Sequence, residues 1–183
     1  MRIIAGTLRG RRLMAPRSQA IRPTADRARE SLFNMLAHGL MDFTGAHVAD
    51  VFAGTGALGL EALSRGAAHV TFVDQNPSAL ELVRRNAEAF KVGEQVRILR
   101  ADARRLPDAS HPMDLVFLDP PYGQGLLPPA LLSLKTHGWL KPGAILALEA
   151  GHDEDIPLPP WTELLKERDV GEAKFVLAAV KTA

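Results

Sequence analysis

The sequence predicts an α/β fold, a mostly parallel sheet with helices on both faces. Three observations carry this. From His47 onward short apolar runs alternate with amphipathic helical patterns. A glycine-rich loop follows the first run and opens a helix. Acids then stand just past the next runs, Asp74 after the second, Asp102 after the third and Asp119 after the fourth. In such a sheet ligands bind beyond the carboxyl ends of the strands, near the point where the strand order switches.

Arg2 to Ala5 and Arg11 to Met14 read as two short strands, with Gly6 and Gly10 near the turn. Residues 15 to 23 form a Pro-bounded loop. Thr24 is placed to cap a helix running to about His38, with Ala28, Leu32, Met35 and Leu36 as its apolar stripe. His47 to Phe52 is the first strand of the main sheet. The helix after the glycine loop runs to Arg65 and stops at Gly66. Val70 to Val73 is the next strand. Asn76 caps the following helix, Pro77 suits its first turn, and Leu80, Val83, Ala87 and Phe90 face the core. Val96 to Leu99, Leu115 to Leu118 and Ala144 to Leu148 continue the sheet, with a helix from about Pro128 to His137 between the last two. Thr162 to Arg168 and Lys174 to Val180 read as two closing strands.

The chain has 183 residues, 46% of them hydrophobic. At that length folding buries roughly 70% of the unfolded surface, enough for one globular core. No apolar run reaches the ~20 residues of a membrane span, and no secretory stretch opens the chain. There are no cysteines, which excludes disulfides and thiolate chemistry and makes a cytoplasmic address the default. The six histidines show no i, i+4 pair, so no metal is expected. The net charge of +1 hides a split: residues 1 to 29 hold eight arginines and one acid, +7, and the remainder carries −6. An arginine-rich head on an acidic body points to a polyanion partner, because guanidinium groups bind phosphate bidentately and stack on bases.

Asp50 to Gly59 follows the first strand, and Gly54, Gly56 and Gly59 satisfy G-x-G-x-x-G. Asp74, twenty residues after Gly54, is placed to accept from both ribose hydroxyls of a nucleoside, and Asp102 to reach its base. This order means nucleoside-cofactor binding, with NAD still open. Asp119-Pro120-Pro121-Tyr122 ends the fourth strand. Its prolines stiffen the loop and remove two backbone donors. Asp119 and the neighbouring carbonyls then form an acceptor-only site suited to an exocyclic amino group. Held by both protons, such a nitrogen can aim its lone pair, while Tyr122 stacks on the base, a contact worth about 1–3 kcal/mol.

Together these residues resemble the class I S-adenosylmethionine-dependent methyltransferases that act on amino groups of bases. Arg2-Ile-Ile-Ala-Gly, Arg9-Gly-Arg, Arg22-Pro-Thr24, Arg27, Arg29-Glu30 and Leu32-Phe33-Asn34 further resemble the signature of the RsmD family, which methylates N2 of guanine 966 in bacterial 16S rRNA. The resemblance is strong over residues 1 to 36 and 48 to 125 and weak after about 150. It implies a Rossmann-like, seven-stranded sheet whose last strand is antiparallel. Residues 1–40 would be a basic hairpin and helix added over the cofactor side, and 41–183 the methyltransferase domain. Asp50, Phe52, Ala53, Gly54, Thr55, Gly56, Gly59, Asp74, Gln75, Asp102 and Ala103 would hold S-adenosylmethionine. Asp119, Pro120, Pro121 and Tyr122 would act on the amino group. Arg2, Arg9, Arg11, Arg12, Arg22 and Arg27 would grip 16S rRNA within the small subunit or its precursor, the protein acting as a monomer. With one tyrosine in the chain, no second one can assist stacking.

Other readings remain at this point: an amino-methyltransferase acting on adenine N6 or a protein glutamine, an NAD-dependent oxidoreductase, or a non-catalytic RNA-binding factor. Glu61 and Glu81 read as solvated helix residues, and Trp139 as a packing residue. Glu149 is divided between cleft and surface. Asp153-Glu-Asp155 reads as an exposed acidic loop.

Overall fold

The computed structural model of the protein describes residues 1–16 and 23–182. Strands β1 (His47–Val51), β2 (His69–Asp74), β3 (Val96–Arg100), β4 (Met113–Leu118), β5 (Leu140–Gly151), β6 (Thr162–Val170) and β7 (Ala173–Val180) form one seven-stranded sheet. Its order is β3-β2-β1-β4-β5-β7-β6, with β7 antiparallel to its neighbours on either side. Helices α1 (Pro23–Ala37), α2 (Ala57–Ser64), α3 (Pro77–Ala89) and α4 (Leu127–Thr136) cover it. The Rossmann-like, seven-stranded sheet with an antiparallel last strand that the resemblance implies is the one observed. Asn76 accepts from the Ser78 amide at 2.9 Å and Pro77 occupies the first turn of α3, as the sequence requires. The capping assigned to Thr24 lies outside the described side chains. Among the described residues no helix is long and apolar enough to cross a membrane.

Alternation along the strands sends successive side chains to opposite faces. Val48, Leu115, Phe117, Ile145 and Phe175 join α1 and α2 in one layer. Ala49, Val51, Val116, Leu118, Leu146 and Val176 join α4 and Trp139 in the other. Trp139 is 1% exposed and donates its indole N–H to the Pro107 carbonyl at 2.8 Å, a packing role as expected.

Two expectations need correction. The amino-terminal strands reduce to a single antiparallel bridge, Arg2 with Arg12. The amides of Ile4 and Ala5, which would extend a ladder, donate instead to the Glu61 carboxylate at 2.9 and 3.0 Å. Glu61 is therefore fully buried rather than solvated, and Arg65 completes its coordination at 3.1 Å. Gly6 passes so close to α2 that a Cβ there would lie 1.8 Å from the Ser64 carbonyl oxygen. Ile3 and Leu13 bury their side chains in the same layer as Leu32, Phe33 and Leu36. Glu81, by contrast, is exposed and pairs with Arg84 and Arg85 on its own helix. The strand at β5 also begins four residues earlier and ends three later than its apolar centre shows.

A carboxylate satisfying two backbone amides inside the core is costly to delete, because the amides and Arg65 are left unpaired. Glu61→Ala is expected to lower unfolding free energy by about 3–5 kcal/mol in urea titrations. The amides of Ile4 and Ala5 should then exchange with solvent well before those of β1.

Candidate active site

The carboxyl ends of the central strands open into a cavity of about 1030 Å³. Its wall contains Asp50, Phe52, Ala53, Gly54, Thr55, Asp74, Gln75, Asp102, Ala103, Asp119, Pro120, Pro121 and Tyr122, so most of the predicted site residues meet in one place. Gly56 and Gly59 stand behind the wall. A Cβ on Gly59 would sit 2.4 Å from the Phe72 ring, so this glycine lets α2 pack against β2. A smaller hollow of about 360 Å³ surrounds the Asp114–Lys141 pair at the opposite ends of the strands, away from every predicted site residue.

Strand-end carboxylates shape the loop. Asp50 accepts the Gly59 N–H at 2.9 Å through Oδ2, while its buried Oδ1 has no partner. Burial is the main cause that pushes its carboxyl up to about 8, against the Gly59 bond and with help from the Asp74 charge. Asp74 accepts from the amides of Gly54 at 3.0 Å and Asn76 at 2.9 Å. Each of its oxygens keeps lone-pair capacity toward the cavity. Phe52, a non-glycine residue, holds φ at +65°, strain of the kind that concentrates at binding sites. Asp102 caps the turn Ala103–Arg105 through the Arg104 amide and also pairs with that side chain at 2.8 Å. The Arg104 hydrogen bonds lower its carboxyl to about 2.

Across the cavity Asp119 is half-buried. The Tyr122 hydroxyl donates to Glu149 Oε1 at 2.8 Å, and the residue remains 47% exposed. Asp119 and Glu149 follow the paired Leu118 and Leu148, so their carboxyls stand side by side at the cavity and interact. Burial raises both carboxyls, and the Glu149 charge raises Asp119 further. Two carboxyls so placed favour sharing a proton over carrying two adjacent charges. Burial and Glu149 also raise the Tyr122 phenol.

Helix α1 supplies a further part of the wall through Ala25, Ala28, Arg29 and Leu32. Arg29 is buried, donates to the Arg2 carbonyl and to Asp26, and keeps one unpartnered Nε. Arg2, Arg9, Arg11, Arg12 and Arg27 are exposed. Arg11 donates to the Ala89 carbonyl at 2.6 Å and lies 5.0 Å from the Phe90 ring centre, which ties the head to α3. Arg22 lies outside the described residues.

Sequence reasoning left Glu149 undecided; its side chain belongs to the cleft. The signal was its phase: Glu149 shares one face of β5 with Ile145 and Ala147, which pack in the layer of α1 and α2. Phe175 was not identified as a wall residue, and it enters because β7 places it opposite Glu149. Within the acidic loop Asp153 and Asp155 are exposed, but Glu154 accepts from the amides of Gly123 and Gly151. That contact pins the segment after Tyr122 to the end of β5.

Comparison with known proteins adds to this geometry. The family model described as conserved hypothetical protein 95 matches residues 1–179. The chain is 38% identical over 180 residues to ribosomal RNA small subunit methyltransferase D of Escherichia coli (strain K12), covering 97% of this chain and 88% of that one. It is 36% identical over 181 residues to the protein of the same name from Haemophilus influenzae, covering 97% and 92%. A solved Escherichia coli chain designated a methyltransferase superposes with a TM-score of 0.85 at 34% identity, covering 100% of this chain and 99% of that one.

Because Asp50 carries its proton in the folded state up to about pH 8 but loses it near pH 4 when unfolded, its burial lowers stability as pH rises between those values. In the ligand-free protein Asp50→Asn, which keeps an oxygen for the Gly59 amide, should gain stability over the native chain from pH ~5 to ~8. The ceiling is roughly 1.4 kcal/mol per pH unit, read from melting curves. A constant difference across that range would mean that Asp50 is ionised.

Proposed function

The chain belongs to the family described as conserved hypothetical protein 95, and from this premise we propose that it transfers a methyl group from S-adenosylmethionine to the exocyclic N2 of a guanine in 16S rRNA of the small ribosomal subunit. The observation that carries the reading is the meeting of the glycine loop and Asp119–Tyr122 around one cavity. Relatives over nearly the whole chain, themselves named small subunit rRNA methyltransferases, support it.

The residues present fit the cofactor. Asp74 has acceptor capacity for two ribose hydroxyls, and the partnerless Oδ1 of Asp50 suits a donor at the amino-acid end. Asp102 and Ala103 line the region for the adenine. When bound, S-adenosylmethionine supplies an already activated sulfonium methyl.

What remains for the protein is alignment, which can contribute ~7–11 kcal/mol. The target guanine turns out of its stack at a cost of a few kcal/mol. Tyr122 offers its exposed ring as a platform. Asp119 and the Pro120 carbonyl accept the amino protons and aim the nitrogen lone pair toward the methyl group. The Asp119 carboxylate also stabilises positive charge developing on nitrogen. The methylated nitrogen is then acidic enough to release its proton to water. Arg9, Arg12 and Arg27, exposed and without ion pairs among the described residues, hold flanking phosphates.

Asp119→Ala should reduce methyl transfer to unmodified small subunits by about 10²–10³-fold or more. Binding of S-adenosylhomocysteine, followed by calorimetry, should persist. Near-normal turnover would remove Asp119 from the reaction. Changing Arg9, Arg12 and Arg27 together to Ala should weaken RNA binding and reduce the slope of log affinity against log salt by about 2–3. An unchanged slope would move the docking surface elsewhere.

A further inference from the structure

Beside Asp119 stands a second acid, Glu149, that transfer to an amino group does not by itself require. It projects from β5 into the same cavity. Its Oε1 accepts from the Tyr122 hydroxyl, and the pairing of Leu118 with Leu148 sets its carboxyl beside that of Asp119. Resting on the reading of the target as a guanine amino group, we propose that Glu149 is the residue that selects guanine, by accepting the ring N1–H while Asp119 and the Pro120 carbonyl take the protons of N2.

The argument is one of donor pattern. On guanine the reactive amino group is flanked by a ring N–H, so two kinds of donor stand side by side. On adenine, and on 2-aminopurine, the amino group is flanked by a bare ring nitrogen, an acceptor. Ionised carboxylates accept only. Two adjacent carboxylates therefore match the guanine edge, and they oppose a bare nitrogen with a second lone pair. A site built around buried polar groups rejects an analogue that leaves them unpaired.

The tether to Tyr122 sets the orientation. The hydroxyl end of the platform ring is anchored at Glu149, so a base stacked on the ring lies with an edge beside the two carboxyls. Before the base enters, the two carboxyls lie side by side and burial raises both, which favours a shared proton over two adjacent charges. Its N–H groups replace that proton, which leaves to solvent. The other charged groups near the pair are Asp50 on β1 and Glu154 in the loop after β5. Both are acidic; the arginines of the wall, Arg29 and Arg104, pair with Asp26 and Asp102 and are not among the groups acting on the two carboxyls.

The test uses small subunits assembled on synthetic 16S rRNA with either guanine or 2-aminopurine at the methylated position, and labelled methyl transfer as the readout. 2-Aminopurine keeps the reactive amino group and lacks only the N1–H and the carbonyl oxygen. The native protein should favour guanine in kcat/KM by about 10- to 100-fold. Glu149→Gln keeps an oxygen for Tyr122 and gains an N–H that can face the bare nitrogen. It should cut that preference by about tenfold or more. Equal use of both bases by the native protein would overturn the assignment, whether or not the variant folds. So would an E149Q variant that lowers both rates in parallel, the behaviour of a purely structural tether. Failure of the native protein to methylate the guanine particle would instead overturn the guanine reading on which this assignment rests.

Discussion

The hydrogen-bond register across β1, β4 and β5 is the constraint from which the site follows. Val51 pairs with Leu118, and Leu118 with Leu148, in parallel ladders. One residue further along, Phe52 and Asp119 leave the sheet beside Glu149, which stays in β5, and antiparallel β7 adds Phe175 opposite Glu149. The sheet winds outward from β1 to β3 and then returns to place β4 on the other side of β1. That reversal keeps helices from closing the gap, so the strand ends open into a cavity where they do. A slip of one residue in β4 would turn Asp119 to the opposite face and separate it from the glycine loop.

The amino-terminal segment belongs to the same structural unit rather than hanging from it. Glu61 holds it by two backbone amides, Ser64 accepts from the Leu8 amide, and Asn86 bonds both the amide and the carbonyl of Met14. These three polar anchors lie on α2 and α3, the helices that flank the glycine loop. The exposed arginines are thus carried on a backbone fixed to the walls of the cleft, and α1 closes one side of it. A phosphate contact on this head is in turn a contact with a rigid reference for the cavity, which is what positioning one extruded base requires.

Electrostatically the cavity is rich in acceptors. Asp50, Asp74, Asp102, Asp119 and Glu149 all reach its wall. Burial raises Asp50, Asp119 and Glu149, and neighbouring acids add to it at Asp50 and Asp119, which favours holding part of this charge as bound protons. Ligands bearing hydroxyls, ammonium and amino groups present the complementary donors. The outer surface near residues 1–16 is cationic and suits a phosphate chain. The division of sign between rim and interior matches an anionic polymer outside and donor-rich groups within.

The motifs that define the chemistry were legible in the chain itself, because each is local. A glycine loop, a proline-stiffened tetrapeptide and an acid at a strand end are set by neighbours within a few residues, and period-two alternation reports which face each strand buries. Roles that depend on distant partners were not legible. Glu61 reads as a surface acid on its helix, and only docking of residues 4 and 5, more than fifty positions away, makes it the centre of a buried network. Histidines 47, 69 and 111 are scattered in sequence yet stack ring to ring at 6.1 and 5.8 Å once β1 and β2 lie side by side. Glu149 becomes a partner of Asp119 and Tyr122 through pairing of β4 with β5 across thirty residues of chain. Local pattern determined which groups the protein carries and on which kind of element. The long-range ladder decided which of them touch, because contact between distant segments depends on register and packing that no short stretch of sequence encodes.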